Sequence, residues 1–288
     1  MGVVVAAHDR VRGELVALKT LPRPSAEGVL ALKREFRAVA ELTHPNLPRF
    51  HELFEDAGRW FFTMELVQGV DALAYLRGAR SGDRPTDPSL DDTLPFDARA
   101  LSVVAAESAR ELRRVLGQLA SALATVHQAG KTHRDVKPSN VLVRDDGHVV
   151  LLDFGLVLGA VADRGAIAGT PAYMAPEQIT GDAVGPAADV YALGLLAFEA
   201  LTGCLPFSGP TPVMLAKRVL EPSPRPSELA SVPADLDTLV SAMLAIRRHY
   251  RSIRQELGSQ EGPTARQLPS RVHAIVLVSK IHKPTLRA

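Results

Sequence analysis

A single cysteine, Cys204, stands in 288 residues. One thiol cannot close an internal disulfide, so a disulfide scaffold is excluded and a reducing, cytoplasmic setting is expected. Long apolar runs are equally scarce. The best candidates are cut by Asp153 and Glu199, short of the ~18 residues a membrane helix needs. The N-terminus MGVVVAAHDR has no basic start and no apolar stretch of signal-peptide length. Ala6 stands where a myristoylation site requires Ser or Thr. The nine histidines show no metal-ligand spacing, and His8, His44 and His127 read as surface or packing residues. What is present is ordinary: 46% hydrophobic and 23% charged residues, enough for one large domain or two modest ones around a sizeable core.

The net charge of +1 conceals an asymmetry. Residues 1–246 carry 24 Lys and Arg against 30 Asp and Glu, whereas residues 247–288 carry nine against two. A break this sharp predicts a boundary near Ile246. The basic tail 247–288 has charges that neither recur at helical spacing nor interleave with aromatics, Tyr250 standing alone. Polyanion binding is therefore the weaker reading of the tail, and no nucleic-acid partner is expected.

Along the chain the hydrophobic period changes. Residues 2–7 and 14–21 read as strands around a turn at Asp9–Gly13, and Pro22 and Pro24 end the second. Leu32, Phe36, Val39 and Ala40 recur at helical spacing within residues 27–42, and His44-Pro45-Asn46 stops that helix. Strands follow at 50–54 and 60–67, around Asp56-Ala57-Gly58. Residues 81–95, rich in Asp, Pro, Ser and Thr, read as a surface loop or insertion. Long helices are expected at 111–128 and 188–201, the second apolar nearly all round and so central to a lobe. Short strands flank Asp145-Asp146-Gly147. The picture is a small β-rich part followed by a larger helical one.

The densest signal is Thr132-His133-Arg134-Asp135-Val136-Lys137-Pro138-Ser139-Asn140, with Asp153-Phe154-Gly155 after it. Asp135 precedes Asn140 by five residues and Asn140 precedes Asp153 by thirteen, which suits a loop, a hairpin and a second loop that converge three oxygen ligands. Each tripeptide alone is common in loops. Together, in order, and followed by Gly169-Thr170-Pro171-Ala172-Tyr173-Met174-Ala175-Pro176-Glu177, they resemble the eukaryotic-type protein kinases, specifically their bacterial Ser/Thr branch. Aminoglycoside phosphotransferases share the first loop pattern but lack the Ala-Pro-Glu segment.

That resemblance implies an α+β, bilobal protein-kinase fold with ATP between a small β-rich N-lobe and a larger helical C-lobe. It implies that Asp135 accepts or orients the substrate hydroxyl proton, that Lys137 lies near the transferred phosphate, and that Asn140 and Asp153 hold Mg²⁺. Val16-Ala17-Leu18-Lys19 is similar to the family's Val-Ala-Ile-Lys strand, so Lys19 would contact the ATP phosphates. A lone Lys on a strand usually faces solvent, but Glu35 shares the apolar helical face of Leu32, Phe36 and Val39. A carboxylate there is costly unless paired, and Lys19 is the expected partner. A Glu at the stripe's edge facing solvent is the alternative. By the same resemblance Met64 would stand beside the adenine. Glu65 and Val67 would hydrogen-bond its edge through their backbones, and Asp71 would reach the ribose. Val4, Ala17 and Leu142 would sandwich the ring, although plain core packing explains those three equally. Phe50, Val39, Phe154 and His133 resemble the stack linking the lobes, and Asp189 resembles the buried Asp that braces the catalytic loop. Cys204 reads as a small buried filler.

Two departures stand out. Gly2-Val3-Val4 matches only the last glycine and valine of the glycine-rich loop, so the first strand and two glycines are missing and a start further upstream is expected. Residues 233–246 resemble the family's penultimate helix, after which an Asp-Pro-x-x-Arg-Pro element should come, but Arg247-Arg248-His249-Tyr250-Arg251 follows. The tail is thus expected to be a frameshifted or divergent extension, leaving Glu177 as a buried carboxylate without its Arg. The expected division is an N-lobe at 1–67 lacking its first strand, a C-lobe at 68–246 with an insertion near 78–100, and the tail at 247–288. The expected function is transfer of the γ-phosphoryl group of ATP to Ser or Thr of protein substrates in bacterial signalling, within a longer parent protein. The alternative is a catalytically weak, pseudokinase-like ATP-binding fragment or scaffold.

Overall fold

The computed structural model describes residues 3–21, 26–79, 106–153 and 170–257, the side chains of 26–27, 106 and 246–257 excepted. Gly2, Phe154, the expected insertion from residue 80 onward and the tail from residue 258 lie outside the described residues.

The chain begins with β1 (Val4–Asp9) and β2 (Glu14–Leu21), paired antiparallel with Val4 opposite Lys19. Their turn is built by Asp9, whose Oδ1 accepts from the Val11 and Arg12 amides, and by Gly13 at φ +71°, where a side chain would be strained. Helix α1 (Ala26–Ala40) crosses to β3 (Phe50–Asp56) and β4 (Arg59–Glu65). Ala57 and Gly58 both take positive φ between them, as a two-residue hairpin whose twist matches its strands requires. The sheet order is β1-β2-β4-β3. Leu32 and Phe36 of α1 pack on Ala17, Leu21, Phe62 and Met64 of the sheet. Phe36 meets Phe50 edge-on at 6.0 Å.

The second part opens with β5 (Val70–Asp71) and α2 (Ala72–Leu76), capped by the Asp71 carboxylate on the Ala74 amide at 2.9 Å. Helix α3 (Ala106–Gln128) leads to β6 (Val141–Val143) and β7 (Val149–Leu151), which with β5 form a small sheet ordered β5-β6-β7. Then come α4 (Pro176–Thr180), α5 (Pro186–Thr202), α6 (Thr211–Leu220) and α7 (Ala234–Leu257). As its all-round apolar pattern predicts, α5 is buried along most of its length and runs through the main core with α3 and α7. Gly194 lets α7 approach, since a Cβ there would lie 2.9 Å from the Met243 Cβ. The helix expected over 233–246 does not stop at the charge break but runs on to Leu257.

His44-Pro45-Asn46, after α1, is fastened to the larger part. Asn46 Nδ2 donates to the Val149 carbonyl at 2.7 Å and to Gln118 Oε1 at 2.8 Å, and its own carbonyl accepts from Leu151 N at 2.9 Å. His148 Nε2 donates to the Pro45 carbonyl at 2.9 Å. Because His44 Nδ1 accepts from the Asn46 amide at 3.1 Å, its Nε2 carries the proton facing Ser121 Oγ at 3.0 Å.

Candidate active site

The loop after α3 is held from beneath by a buried carboxylate. Asp189, in the first turn of α5, accepts from the amides of His133 at 2.8 Å and Arg134 at 2.7 Å, and from His127 Nε2 at 2.7 Å. A charge in an apolar helix needs such partners, and these also fix the backbone at Arg134, which takes φ +69°. His133 is fully buried. Its Nδ1 faces the Asp135 amide at 3.4 Å, and its Nε2–H donates to the Leu152 carbonyl at 2.9 Å, which defines a neutral ring. Burial holds its pKa below the usual histidine value, against the opposing pull of nearby Asp189.

Four polar side chains meet above this loop. Asp135 Oδ2 accepts from Asn140 Nδ2 at 2.9 Å and lies 3.0 Å from Lys137 Nζ. Lys137 Nζ also donates to Thr170 Oγ1 at 2.6 Å, while the Thr170 amide reaches Asp135 Oδ1 at 3.3 Å. Leu152 N donates to the Asn140 carbonyl at 2.7 Å and so draws the end of β7, with Asp153 next to it, against Asn140. Asp153 has φ +55°, like Arg134 a non-glycine residue of the site held in left-handed conformation. It forms an ion pair with Lys19 Nζ, and Lys19 is only 4% exposed. Asp135, Lys137 and Asn140 are therefore in contact, and the Leu152–Asn140 backbone bond joins them to the Asp153–Lys19 pair.

Glu35 is not paired as expected. Its Oε2 lies 2.8 Å from Lys131 Nζ, while Lys19 is on Asp153. The apolar stripe does carry Glu35 inward, but Lys131, two residues before His133, reaches it from the loop after α3.

Strand register arranges the remaining candidates. Ala17 lies opposite Met64 and Val16 opposite Glu65 across β2 and β4, and Leu142 lies opposite Asp71 across β6 and β5. Ala17 and Val67 are buried, Leu142 is half-buried, and Val4 is 49% exposed. The Glu65 side chain pairs with Arg144 at 2.7 Å, tying β4 to the end of β6. Val39 and His133 are buried and Phe50 packs on the main core, while Phe154, the fourth member of the expected stack, lies outside the described residues. Glu177 is half-buried and engaged, not the enclosed bare carboxylate expected. Cys204 is likewise only half-buried, just beyond α5.

Three residues escaped the sequence reading. His127 had a usable signal: it continues the buried stripe of Leu112, Leu116, Leu119 and Leu123 on α3. Lys131 and the buried Arg218 of α6 had none, since a cation near a loop or on an amphipathic helix ordinarily faces water.

Among the described residues no group of three or more His, Cys, Asp or Glu is disposed to hold a metal by itself. One carboxylate (Asp153) and one amide (Asn140) drawn together by backbone bonding instead suit Mg²⁺, which binds few protein oxygens and completes its shell with substrate phosphates and water.

This architecture, an antiparallel sheet with its helix followed by a mainly helical part, is the protein kinase fold. The chain belongs to the protein kinase domain family, whose model matches residues 1–260. Its relatives are bacterial serine/threonine kinases. It is 34% identical over 255 residues to the serine/threonine-protein kinase PknD of Mycobacterium tuberculosis, covering 85% of this chain and 35% of that protein. It is 37% identical over 241 residues to PknL of the same organism, covering 80% and 54%. The chain thus spans between about a third and a half of the length of these relatives. Among solved structures it resembles the M. tuberculosis PknI kinase domain, with a TM-score of 0.58 and 27% identity over 85% of this chain and 82% of that one. It also resembles Rad53 residues 1–466 in complex with AMP-PNP, with a TM-score of 0.63 and 25% identity over 84% and 56%. The family generally uses ATP and Mg²⁺. Among the described residues no helix is long and apolar enough to cross a membrane.

Proposed function

We propose that this chain transfers the γ-phosphoryl group of ATP to Ser or Thr side chains of protein substrates in the bacterial cytoplasm, as the catalytic unit of a longer signalling protein. The observation that supports the reading is the contact of Asp135 with Lys137 and Asn140, joined by the Leu152–Asn140 backbone bond to the Asp153–Lys19 ion pair. Phosphoryl transfer asks little covalent chemistry of the protein; it asks for reactants in line and for compensated charge. Asp135 would orient the acceptor hydroxyl and take its proton at a carboxylate oxygen. Lys137, already bridging Asp135 and Thr170, would balance charge at the transferred group. Lys19 would hold the α- and β-phosphates, with Glu35 steadying it, and Asn140 and Asp153 would hold Mg²⁺. Bound there, Mg²⁺ would neutralise charge on the β- and γ-phosphates. Val4, Ala17 and Leu142 would enclose the adenine, Glu65 and Val67 would meet its edge, and Asp71 would reach the ribose with the oxygen not capping α2. Gly2 belongs to the same proposal, as does the division at residues 67 and 246.

The engagement of Glu35 by Lys131 favours a second reading, an ATP-binding protein of weak turnover. One assay separates the two: radiolabel transfer from [γ-³²P]ATP to casein, with Asp135→Asn as control. Label that appears with the parent and vanishes with the control supports the kinase reading. Equal label in both, or none from a chain that binds Mg-ATP, sinks it.

A further inference from the structure

Arg218, in the last turn of α6, is 3% exposed, yet none of the ion pairs among the described residues includes it. Its two terminal nitrogens donate mainly to backbone instead, Nη2 also lying 3.8 Å from the Met214 sulfur. Nη1 donates to the carbonyls of Pro171 at 2.8 Å and Met174 at 3.1 Å, and Nη2 to that of Ala172 at 2.8 Å, while Nε has no partner. Three carbonyls of one four-residue segment therefore stand in for the water this cation has lost. Burial also lowers its pKa, against the opposing pull of Tyr191 and Tyr173. A segment that turned its carbonyls elsewhere would leave a bare buried cation, which is expensive, so Arg218 locks residues 171–174 in one conformation.

The segment leads directly into the candidate active site. Thr170, its neighbour, contacts Asp135 through its amide and Lys137 through its hydroxyl. On the far side the Tyr173 hydroxyl donates to Glu199 of α5. One end of 170–174 is thus set by the carboxylate and ammonium of the site, and its body by Arg218.

We propose that Arg218 is a positioning residue for the protein acceptor. By clamping the Pro171–Met174 carbonyls it fixes the surface beside Asp135 against which the acceptor chain lies, and so sets acceptor affinity independently of nucleotide. The proposal rests on the kinase reading above. The fork geometry is essential to it, because an ammonium cannot reach three carbonyls from two fixed nitrogens.

The test uses Arg218→Gln and Arg218→Lys in the full chain, with casein as acceptor. KM for casein should rise at least ~5-fold in both variants while KM for ATP stays within about twofold, and Lys should recover only part of the loss. Hydrogen exchange at the Ala172, Tyr173 and Met174 amides should accelerate in Arg218→Lys, which keeps the buried charge and folds if Gln does not. An unchanged casein KM, or ATP and casein KM rising in step, overturns the proposal. If the parent transfers no phosphate, the kinase reading has failed on its own, and the amide exchange then decides alone. Unaltered exchange at 172–174 in Arg218→Lys overturns the clamp.

Discussion

Replacing Lys131 by Met removes the ammonium that holds Glu35 and keeps the aliphatic stem in place. The two side chains are 23% and 31% exposed, so solvent screening limits the pair to about 0.5–1 kcal/mol. At 1.4 kcal/mol per factor of ten, that biases Glu35 between Lys131 and Lys19 by about two- to fivefold. If phosphoryl transfer needs Glu35 on Lys19, kcat/KM for ATP should rise by about that factor in Lys131→Met. Lys131→Arg should stay near the parent. The melting temperature should fall by no more than about 4 °C, the shift that 1 kcal/mol produces in a domain of this size. Initial rates of label transfer to casein across an ATP series, with calorimetric melting of the same preparations, measure both quantities. A kcat/KM that falls, or does not move, would falsify the idea that Lys131 competes for Glu35.

Other expectations are simpler. Asp135→Ala or Asp153→Ala should each lower turnover at least ~100-fold, and Lys19→Ala should weaken productive use of ATP; near-parental rates in a folded variant remove that residue's role. Asp189→Ala strands the His133 and Arg134 amides and the His127 ring, a loss of about 3–5 kcal/mol in urea unfolding, and a change below ~1 kcal/mol would contradict the bracing role. His133 is held neutral, its folded pKa below 6.5, so its contribution to stability is complete above pH 6.5 and is lost as the pH falls below it, when the unfolded chain takes up the proton. His44, also lowered by burial, acts in the same direction. Unfolding free energy should therefore drop from pH 7 toward pH 5, less steeply in His133→Tyr, and an unchanged slope in that variant dismisses His133 as a source.

The parts of the site that could be read in advance are those encoded over short stretches. Asp135, Lys137 and Asn140 share one loop, and the spacing to Asp153 spans a single hairpin, so local geometry nearly determines their meeting. Asp189 was legible for a different reason: a carboxylate inside an apolar helix demands partners, whatever they prove to be. The partner of Glu35 was not legible, because helical periodicity says which way a carboxylate points but not which of two lysines, one on β2 and one after α3, lies closer. Arg218 was hidden by the same logic reversed. Its place on an amphipathic helix predicts a solvated cation, and only the tertiary arrival of three carbonyls makes burial tolerable. The end of α7 was misplaced because charge composition shifts at residue 246 while helix propensity does not.

The fastening of His44, Pro45 and Asn46 to α3 and β7 turns α1 into a lever with its fulcrum at the C-terminal end. At 1.5 Å of rise per residue, Glu35 sits roughly 7 Å from Ala40 and Ala26 roughly 21 Å from it. A swing about the fulcrum would carry the N-terminal end of α1 about three times as far as Glu35. Force applied near Ala26 is multiplied accordingly, so a weak contact at that end of α1 has the greatest leverage over which lysine Glu35 meets.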